Sequence, residues 1–139
     1  MSAVFVLDAS ATLPWCFKDE ATSFTEGLLK RMAAQERAVA PAHWPLEVLN
    51  TLIQAKLRGR VQETDIHAFL LDLRSLDIQV ESHPTDTVFD RIRALAEKHR
   101  LTAYDAAYLE LAKRVALPLA TLDSALVRAA EAEGVRMVG

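Results

Sequence analysis

Short apolar runs alternate with stretches of helical amphipathic pattern along this chain. Residues 3–7 form a continuous apolar run bounded by polar residues, which is typical of a buried strand in a parallel sheet. Further short strands are predicted at residues 38–40, at 78–80, within 117–122 and at 135–138. Between the strands, apolar residues recur at helical spacing. They predict helices after the first strand, over about 20–35, 45–58 and 64–74, from 84, from 102, and over 124–133.

This alternation of strands and helices defines the expected fold. It indicates an α/β domain with a central, mostly parallel five-stranded sheet and helices on both faces. The 139 residues suit a single domain that spans residues 1–139. Only four glycines are present, and two of them, Gly59 and Gly134, stand where predicted helices should end.

Four acidic residues stand where an apolar run gives way to a helix or a turn: Asp8, Glu47, Asp105 and Asp123. Each one alone suits a helix N-terminus, where a carboxylate can cap free N–H groups and face the positive end of the dipole. Together they allow a second interpretation, because ligands of open parallel sheets bind at the carboxyl ends of the strands. Carboxylates gathered there repel one another and suit a hard cation such as Mg²⁺. The ordered set favours a metal site, while capping stays open for each acid.

The segments around these acids resemble a known family. They are Asp8-Ala9-Ser10, Glu47-Val48-Leu49-Asn50, Thr102-Ala103-Tyr104-Asp105-Ala106-Ala107-Tyr108 and Thr121-Leu122-Asp123. In this order they are similar to the successive motifs of PIN-domain ribonucleases, and most of all to the VapC toxins of bacterial toxin–antitoxin pairs. The resemblance spans the whole chain. It implies a PIN fold and an endoribonuclease that depends on Mg²⁺ or Mn²⁺.

The resemblance also assigns roles to residues. It implies that the four acids form the catalytic cluster, that Asp8, Asp105 and Asp123 hold the metal, and that Glu47 binds a metal or orients its water. Three polar residues would support the cluster: Ser10, Asn50 and Thr121. The partners it implies are an RNA substrate, a small VapB-like antitoxin and a second copy in a homodimer. The helices at about 46–58 and 64–74 are candidate docking surfaces.

Composition limits the remaining possibilities. The net charge of −3 does not suit a protein held on nucleic acid by positive charge alone, yet it suits a nuclease whose own acids bind metal. No apolar stretch approaches the ~20 residues of a membrane span, and no basic segment precedes the first apolar run. We therefore expect a cytoplasmic protein. Cys16, the single cysteine, lies in an apolar stretch and is expected to be a buried, unreactive thiol.

Basic residues and histidines leave alternatives open. Lys56, Arg58 and Arg60 cluster at a predicted helix end, where cations favour the dipole, but they could also contact RNA phosphates. The same two interpretations apply to residues 98–100. His43 could border the pocket, although no metal-ligand spacing links the four histidines.

Three rival functions require residues that can be compared with this sequence. A phosphatase with Asp8 as nucleophile should carry a second acid two residues on, where this chain has Ser10. A response regulator should carry its acceptor aspartate at the end of the third strand, where this chain has Glu81-Ser82-His83. A catalytically silent binding module with a PIN fold is the third rival, and the sequence leaves it open.

Overall fold

A parallel sheet forms the centre of the molecule. The computed structural model describes residues 2–139. The strands are β1 (Ala3–Leu7), β2 (Arg37–Pro41), β3 (Ile78–Glu81) and β4 (Leu119–Ala120), in the spatial order β3-β2-β1-β4. Three successive residues of β1, Phe5 to Leu7, have no exposed surface. Because neighbouring side chains of a strand point to opposite faces, both faces of β1 are covered.

The α-helices are α1 (Ala9–Thr12), α2 (Ser23–Ala33), α3 (Trp44–Leu57), α4 (Glu63–Ser75), α5 (Arg93–His99), α6 (Ala103–Val115) and α7 (Ser124–Ala132). Short 3₁₀ helices occupy Leu13–Trp15 and Lys18–Glu20. The predicted helix at about 20–35 starts later, at Ser23, because Thr22 and Thr25 form a reciprocal capping box there. Helical structure begins at Thr85 as predicted. The segment Thr87–Ile92 is a π-helix, which the apolar pattern does not predict.

The α/β class and the parallel sheet are confirmed, but the five-stranded sheet is wrong. Within residues 2–139 the sheet has four strands. The predicted fifth strand at 135–138 makes only an isolated bridge between Met137 and Leu119. Its hydrogen bonds run from Leu119 N–H to the carbonyl of Arg136 and from Val138 N–H to the carbonyl of Leu119. Since β4 itself is two residues long, no longer ladder can form beside it.

The strand order creates a switch point between β1 and β4. The chain builds the sheet from β1 through β2 to β3 and then returns to place β4 on the free side of β1. Since crossovers of this kind are nearly always right-handed, we expect the change of direction to place α5 and α6 on the opposite face from α2 and α3. Leu7 pairs with Ala120 in register, so the carboxyl ends of β1 and β4 lie side by side. This edge is where ligands of such sheets bind.

Glu133 joins three helices at the far end of the chain. Its carboxylate lies 2.8 Å from Lys98 Nζ and 2.6 Å from both His99 Nε2 and Lys113 Nζ. These contacts tie the end of α7 to α5 and α6. Hydrogen bonds from Lys113, Lys98 and His99 lower the pKa of Glu133 to about 2. The carboxylate is therefore ionised throughout the neutral range.

Two further expectations concern Cys16 and membrane spans. Cys16 is half-buried, not fully buried as predicted. Burial together with the charge of Asp65 raises the pKa of its thiol, in keeping with an unreactive cysteine. In the part of the chain from residue 2 to 139, no helix has the length and apolar character to cross a membrane.

Candidate metal centre

Asp8 lies at the carboxyl end of β1 and is 3% exposed. It occupies the N-cap position of α1, yet its side chain makes no capping hydrogen bond there. Its Oδ2 instead accepts hydrogen bonds from Ser10 Oγ at 2.7 Å and from Thr121 Oγ1 at 2.5 Å. Both hydroxyls contact the same oxygen, so neither occupies Oδ1. Burial raises the pKa of Asp8, these two hydroxyls oppose that rise, and the charge of Glu47 adds to it.

Backbone groups after β4 fix the direction of both hydroxyls. Ser10 Oγ accepts from Leu122 N–H at 2.9 Å, and Thr121 Oγ1 accepts from Asp123 N–H at 3.1 Å. Each hydroxyl is thus free to donate its proton to Asp8. Asp123 caps α7, because its Oδ1 accepts from Ala125 N–H at 3.1 Å. The capping interpretation therefore describes Asp123 but not Asp8.

Asp105 lies in the first turn of α6 and is partly exposed. The helix is capped by Thr102, whose Oγ1 accepts from Asp105 N–H at 3.1 Å, so the Asp105 carboxylate is not needed as a cap. Burial, together with repulsion from Asp123, Asp8 and Glu47, raises the pKa of Asp105 to about 6. The four acids therefore share one electrostatic environment at the carboxyl edge of the sheet.

Glu47, in the first turn of α3, lies beside two aromatic residues. Its Oε1 accepts a hydrogen bond from the hydroxyl of Tyr108 at 3.0 Å. His43 Nε2 lies 2.8 Å from the same oxygen, at an angle that does not make a hydrogen bond. The His43 ring also packs against Tyr108, with centroids 5.0 Å apart, and against Tyr104, at 5.5 Å. Burial and the charges of Asp8 and Glu47 raise the pKa of Tyr108, so its hydroxyl stays a donor.

An open cavity of about 460 Å³ lies between α3 and α6 beside these side chains. Its lining combines carboxylates, polar groups and apolar surface from His43, Leu46, Glu47, Asn50, Thr102, Tyr104 and Asp105. Asn50 thus shares this wall with Glu47.

The donor set suits a hard divalent cation in chemistry and in charge. Carboxylate oxygens are the ligands that Mg²⁺ prefers. Burial is the main cause of the raised pKa values of Asp8 and Asp105, and the repulsion between acids that adds to it would be relieved by a cation. The ligand spacing is not preformed. Within residues 2–139, no group of three or more His, Cys, Asp or Glu side chains stands close enough to hold an ion. Convergence of Asp8, Asp105 and Asp123 on one ion therefore remains a proposal.

Comparison with known proteins identifies the family. The family model described as PIN domain matches residues 5–132. The chain belongs to the PIN-domain family. The resemblance seen in the four motifs is thereby confirmed.

The curated relatives of this PIN domain carry VapC names. Ribonuclease VapC3 of Pyrobaculum aerophilum is 31% identical over 121 residues, which cover 87% of this chain and 90% of the relative. Ribonuclease VapC12 of Mycobacterium tuberculosis is 29% identical over 125 residues, or 90% of this chain and 91% of the relative. The likeness therefore extends over nearly the full length of both proteins.

Solved structures share the PIN fold. A crystal structure from Pyrobaculum aerophilum superposes with a TM-score of 0.73 at 24% identity and covers 93% of this chain and 86% of that one. FitAcB from Neisseria gonorrhoeae gives a TM-score of 0.58 at 17% identity and covers 98% and 97%. A toxin–antitoxin complex from Klebsiella pneumoniae gives 0.54 at 21% identity and covers 88% of each chain. At these identities the likeness concerns the fold.

Sequence reasoning missed two residues of this PIN-domain site. Tyr108 donates a hydrogen bond to Glu47, but the apolar pattern of α6 indicates only a core position there. Its spacing of three residues from Asp105 is the signal that both share a helix face. Tyr104 borders the cavity and appears in the sequence only as part of a motif. His43, named as a possible border of the pocket, does line the cavity.

Three of the basic residues considered for RNA phosphates have carboxylate partners. Lys56 Nζ lies 2.5 Å from Glu63, and Arg60 lies 2.5 Å from Glu20. Lys98 binds Glu133. These pairs favour the structural interpretation for the three side chains.

Proposed function

We propose that this protein is a divalent-metal-dependent endoribonuclease and the toxin of a type II toxin–antitoxin pair, with Mg²⁺ or Mn²⁺ as its cofactor. The observation that carries the proposal is the arrangement of the four acids at the carboxyl edge of the sheet: Thr121 joins Asp8 to the segment that bears Asp123, and Glu47 and Asp105 line the adjacent cavity. A fold does not by itself imply an activity, so the site must carry the argument. The VapC names of the curated relatives support the same conclusion.

The chain's own residues would prepare the site for the cation. Ser10 and Thr121 donate to one oxygen of Asp8, which opposes the rise in pKa that burial causes and fixes the orientation of the carboxylate. Tyr108 donates a hydrogen bond to Glu47 and fixes the position of its carboxylate. Asp8, Asp105 and Asp123 would hold the ion, and Glu47 would bind it or orient its water. Asn50, on the same wall as Glu47, would support the site.

A bound divalent cation supplies Lewis-acid stabilisation of the charge that develops at the phosphoryl group during hydrolysis. The residues around it orient the acids and limit water at Asp8, which is 3% exposed. The phosphatase rival would use Asp8 as the nucleophile and needs a second acid to handle the leaving group. The position two residues after Asp8 holds Ser10, which donates to Asp8 and cannot act as the second acid of that chemistry.

The proposed function brings proposed partners. A toxin of this type would be held inactive by a small VapB-like antitoxin and would form a homodimer. Exposed apolar side chains along α3 support a docking surface there, with Leu46 69% exposed and Leu57 75% exposed.

The decisive experiment compares Asp8→Asn with the unaltered protein. Purified protein should cleave single-stranded RNA in Mg²⁺ and lose this activity in EDTA, and expression alone should arrest growth. Asp8→Asn should abolish both effects, because the asparagine amide carries no charge to offer the cation. Asp72→Asn, an exposed acid on α4, removes the same charge and should change neither. Equal toxicity of Asp8→Asn, or cleavage that persists in EDTA, would refute the proposal; inactivity of the unaltered protein would favour the silent binding module.

A further inference from the structure

Tyr104 is a prominent side chain beside the site that the catalytic proposal leaves without a role. It is the second residue of α6, next to Asp105, and its side chain is 63% exposed. Single exposed aromatic residues are common on protein surfaces and need no explanation by themselves. Tyr104 differs because a second ring, that of His43, packs against it.

The supporting rings form a row that runs into the core. His43 packs against Tyr104 with ring centroids 5.5 Å apart and planes tilted by 53°. Behind it, Tyr108 meets His43 edge-on at 5.0 Å, and Tyr108 is fully buried and bound to Glu47. Both distances fall in the roughly 4.5–7 Å range of favourable aromatic pairs. Tyr104 is thus the exposed end of an anchored row.

The cavity beside Tyr104 matches the chemistry of a nucleobase. Its volume of about 460 Å³ lies within the range of roughly 300–1,000 Å³ typical of small-ligand sites. Leu46 adds an exposed apolar wall, and the amide of Asn50 offers a donor and an acceptor for a base edge. A base is uncharged, so it can lie beside Glu47 and Asp105 without the repulsion that a phosphate would meet.

We propose that Tyr104, backed by His43, is a stacking surface for one unpaired base next to the scissile phosphate, and that this surface selects single-stranded RNA. The proposal rests on the ribonuclease function proposed above. Proteins that bind single-stranded RNA commonly stack exposed bases on aromatic side chains. A base in a duplex is already stacked and paired, so it cannot reach Tyr104.

The test measures binding apart from cleavage. A fluorescent single-stranded RNA oligonucleotide of mixed sequence is titrated in Mg²⁺ against the Asp8→Asn variant, with and without Tyr104→Ala. Loss of one base–aromatic stack should raise the Kd by about 5- to 150-fold. Tyr104→Phe and Tyr104→Trp should retain the affinity, because they keep the ring. Phe89→Ala is the matched control, since Phe89 is 64% exposed and does not line the cavity.

In the otherwise unaltered enzyme, Tyr104→Ala should raise KM more than it lowers kcat. Annealing the RNA to its complement should remove the difference between Tyr104→Ala and the unaltered enzyme. An unchanged Kd for Tyr104→Ala would overturn the stacking role even if the enzyme cleaves RNA. Failure of Tyr104→Phe to restore binding would assign the effect to the hydroxyl and also overturn it. Loss of a protein partner with RNA affinity intact would make this a protein-binding surface and count against the proposal. If the unaltered protein cleaves no RNA, the nuclease proposal fails, while the binding comparison still decides the role of Tyr104.

Discussion

Replacing Asp105 with asparagine should stabilise the metal-free protein. The pKa of Asp105 is raised from an ordinary value of 3.8 to about 6, first by burial and then by Asp123, Asp8 and Glu47. A rise of this size corresponds to about 3 kcal/mol of unfavourable ionisation in the folded state at neutral pH. Part of it is screened by solvent, and the first turn of α6 loses about 0.3–1 kcal/mol of favourable dipole interaction with the charge. We expect a net gain of about 1–2 kcal/mol.

The sign of the pH dependence follows from the raised pKa. Between pH 4 and pH 6 the folded protein holds a proton on Asp105 that the unfolded chain has released, so this carboxyl makes stability fall as pH rises. Above pH 6 the full cost is present. The advantage of Asp105→Asn should therefore be largest at pH 7 and nearly absent at pH 4.

Urea unfolding in EDTA, followed by tryptophan fluorescence at both pH values, measures this difference. Asp72→Asn serves as control, because it removes the same charge from an exposed position on α4. Addition of Mg²⁺ should raise the urea midpoint of the unaltered protein and have a smaller effect on Asp105→Asn. An advantage equal at pH 4 and pH 7, or a less stable variant at pH 7, would refute the electrostatic reasoning.

Three further outcomes are expected. Glu133→Gln should lower the free energy of unfolding at pH 7 by about 1–2 kcal/mol, a figure reduced because the partner lysines are exposed, and the control Glu131→Gln should be nearly neutral in urea unfolding. Because the pKa of Glu133 is lowered to about 2, this contribution is present above pH 4.5 and is lost as pH falls towards 2. Gly27→Ala should raise stability by about 0.5–1 kcal/mol within α2, whereas Gly59→Ala should lower it by about 1 kcal/mol, because Gly59 has a φ of +70°. Thr121→Ala should reduce RNA cleavage by about 10- to 100-fold and Thr121→Ser should retain it, since the serine keeps the donor to Asp8.

The sequence predicts those parts of the fold that depend on local pattern. The strand at 3–7 and the helix ends at Gly59 and Gly134 follow from the apolar run and from residues that favour left-handed backbone. The error at 135–138 has the opposite origin. An apolar run shows that a segment can pair, but the length of the ladder depends on its partner, and β4 offers only two residues.

The residues of the candidate site also differ in how far local sequence pattern predicts their contacts. The acids are found by their order in the chain, but Asp8 looks like a cap and instead binds a hydroxyl 113 residues away. No local rule distinguishes those two outcomes. Tyr108 is fully buried and also bonds to Glu47, and the helical pattern reports only its burial.

The hydrogen bond between Thr121 and Asp8 has a consequence for the timing of biosynthesis. At typical rates, a ribosome needs roughly 6–23 s to extend a chain from residue 8 to residue 123. Until β4 docks beside β1, Asp8 lacks its donor from Thr121, and Asp123 has not been added to the edge. For the proposed ribonuclease, the growing chain therefore carries no assembled site, and its activity can begin only after Thr121 and Asp123 have been made and β4 has docked.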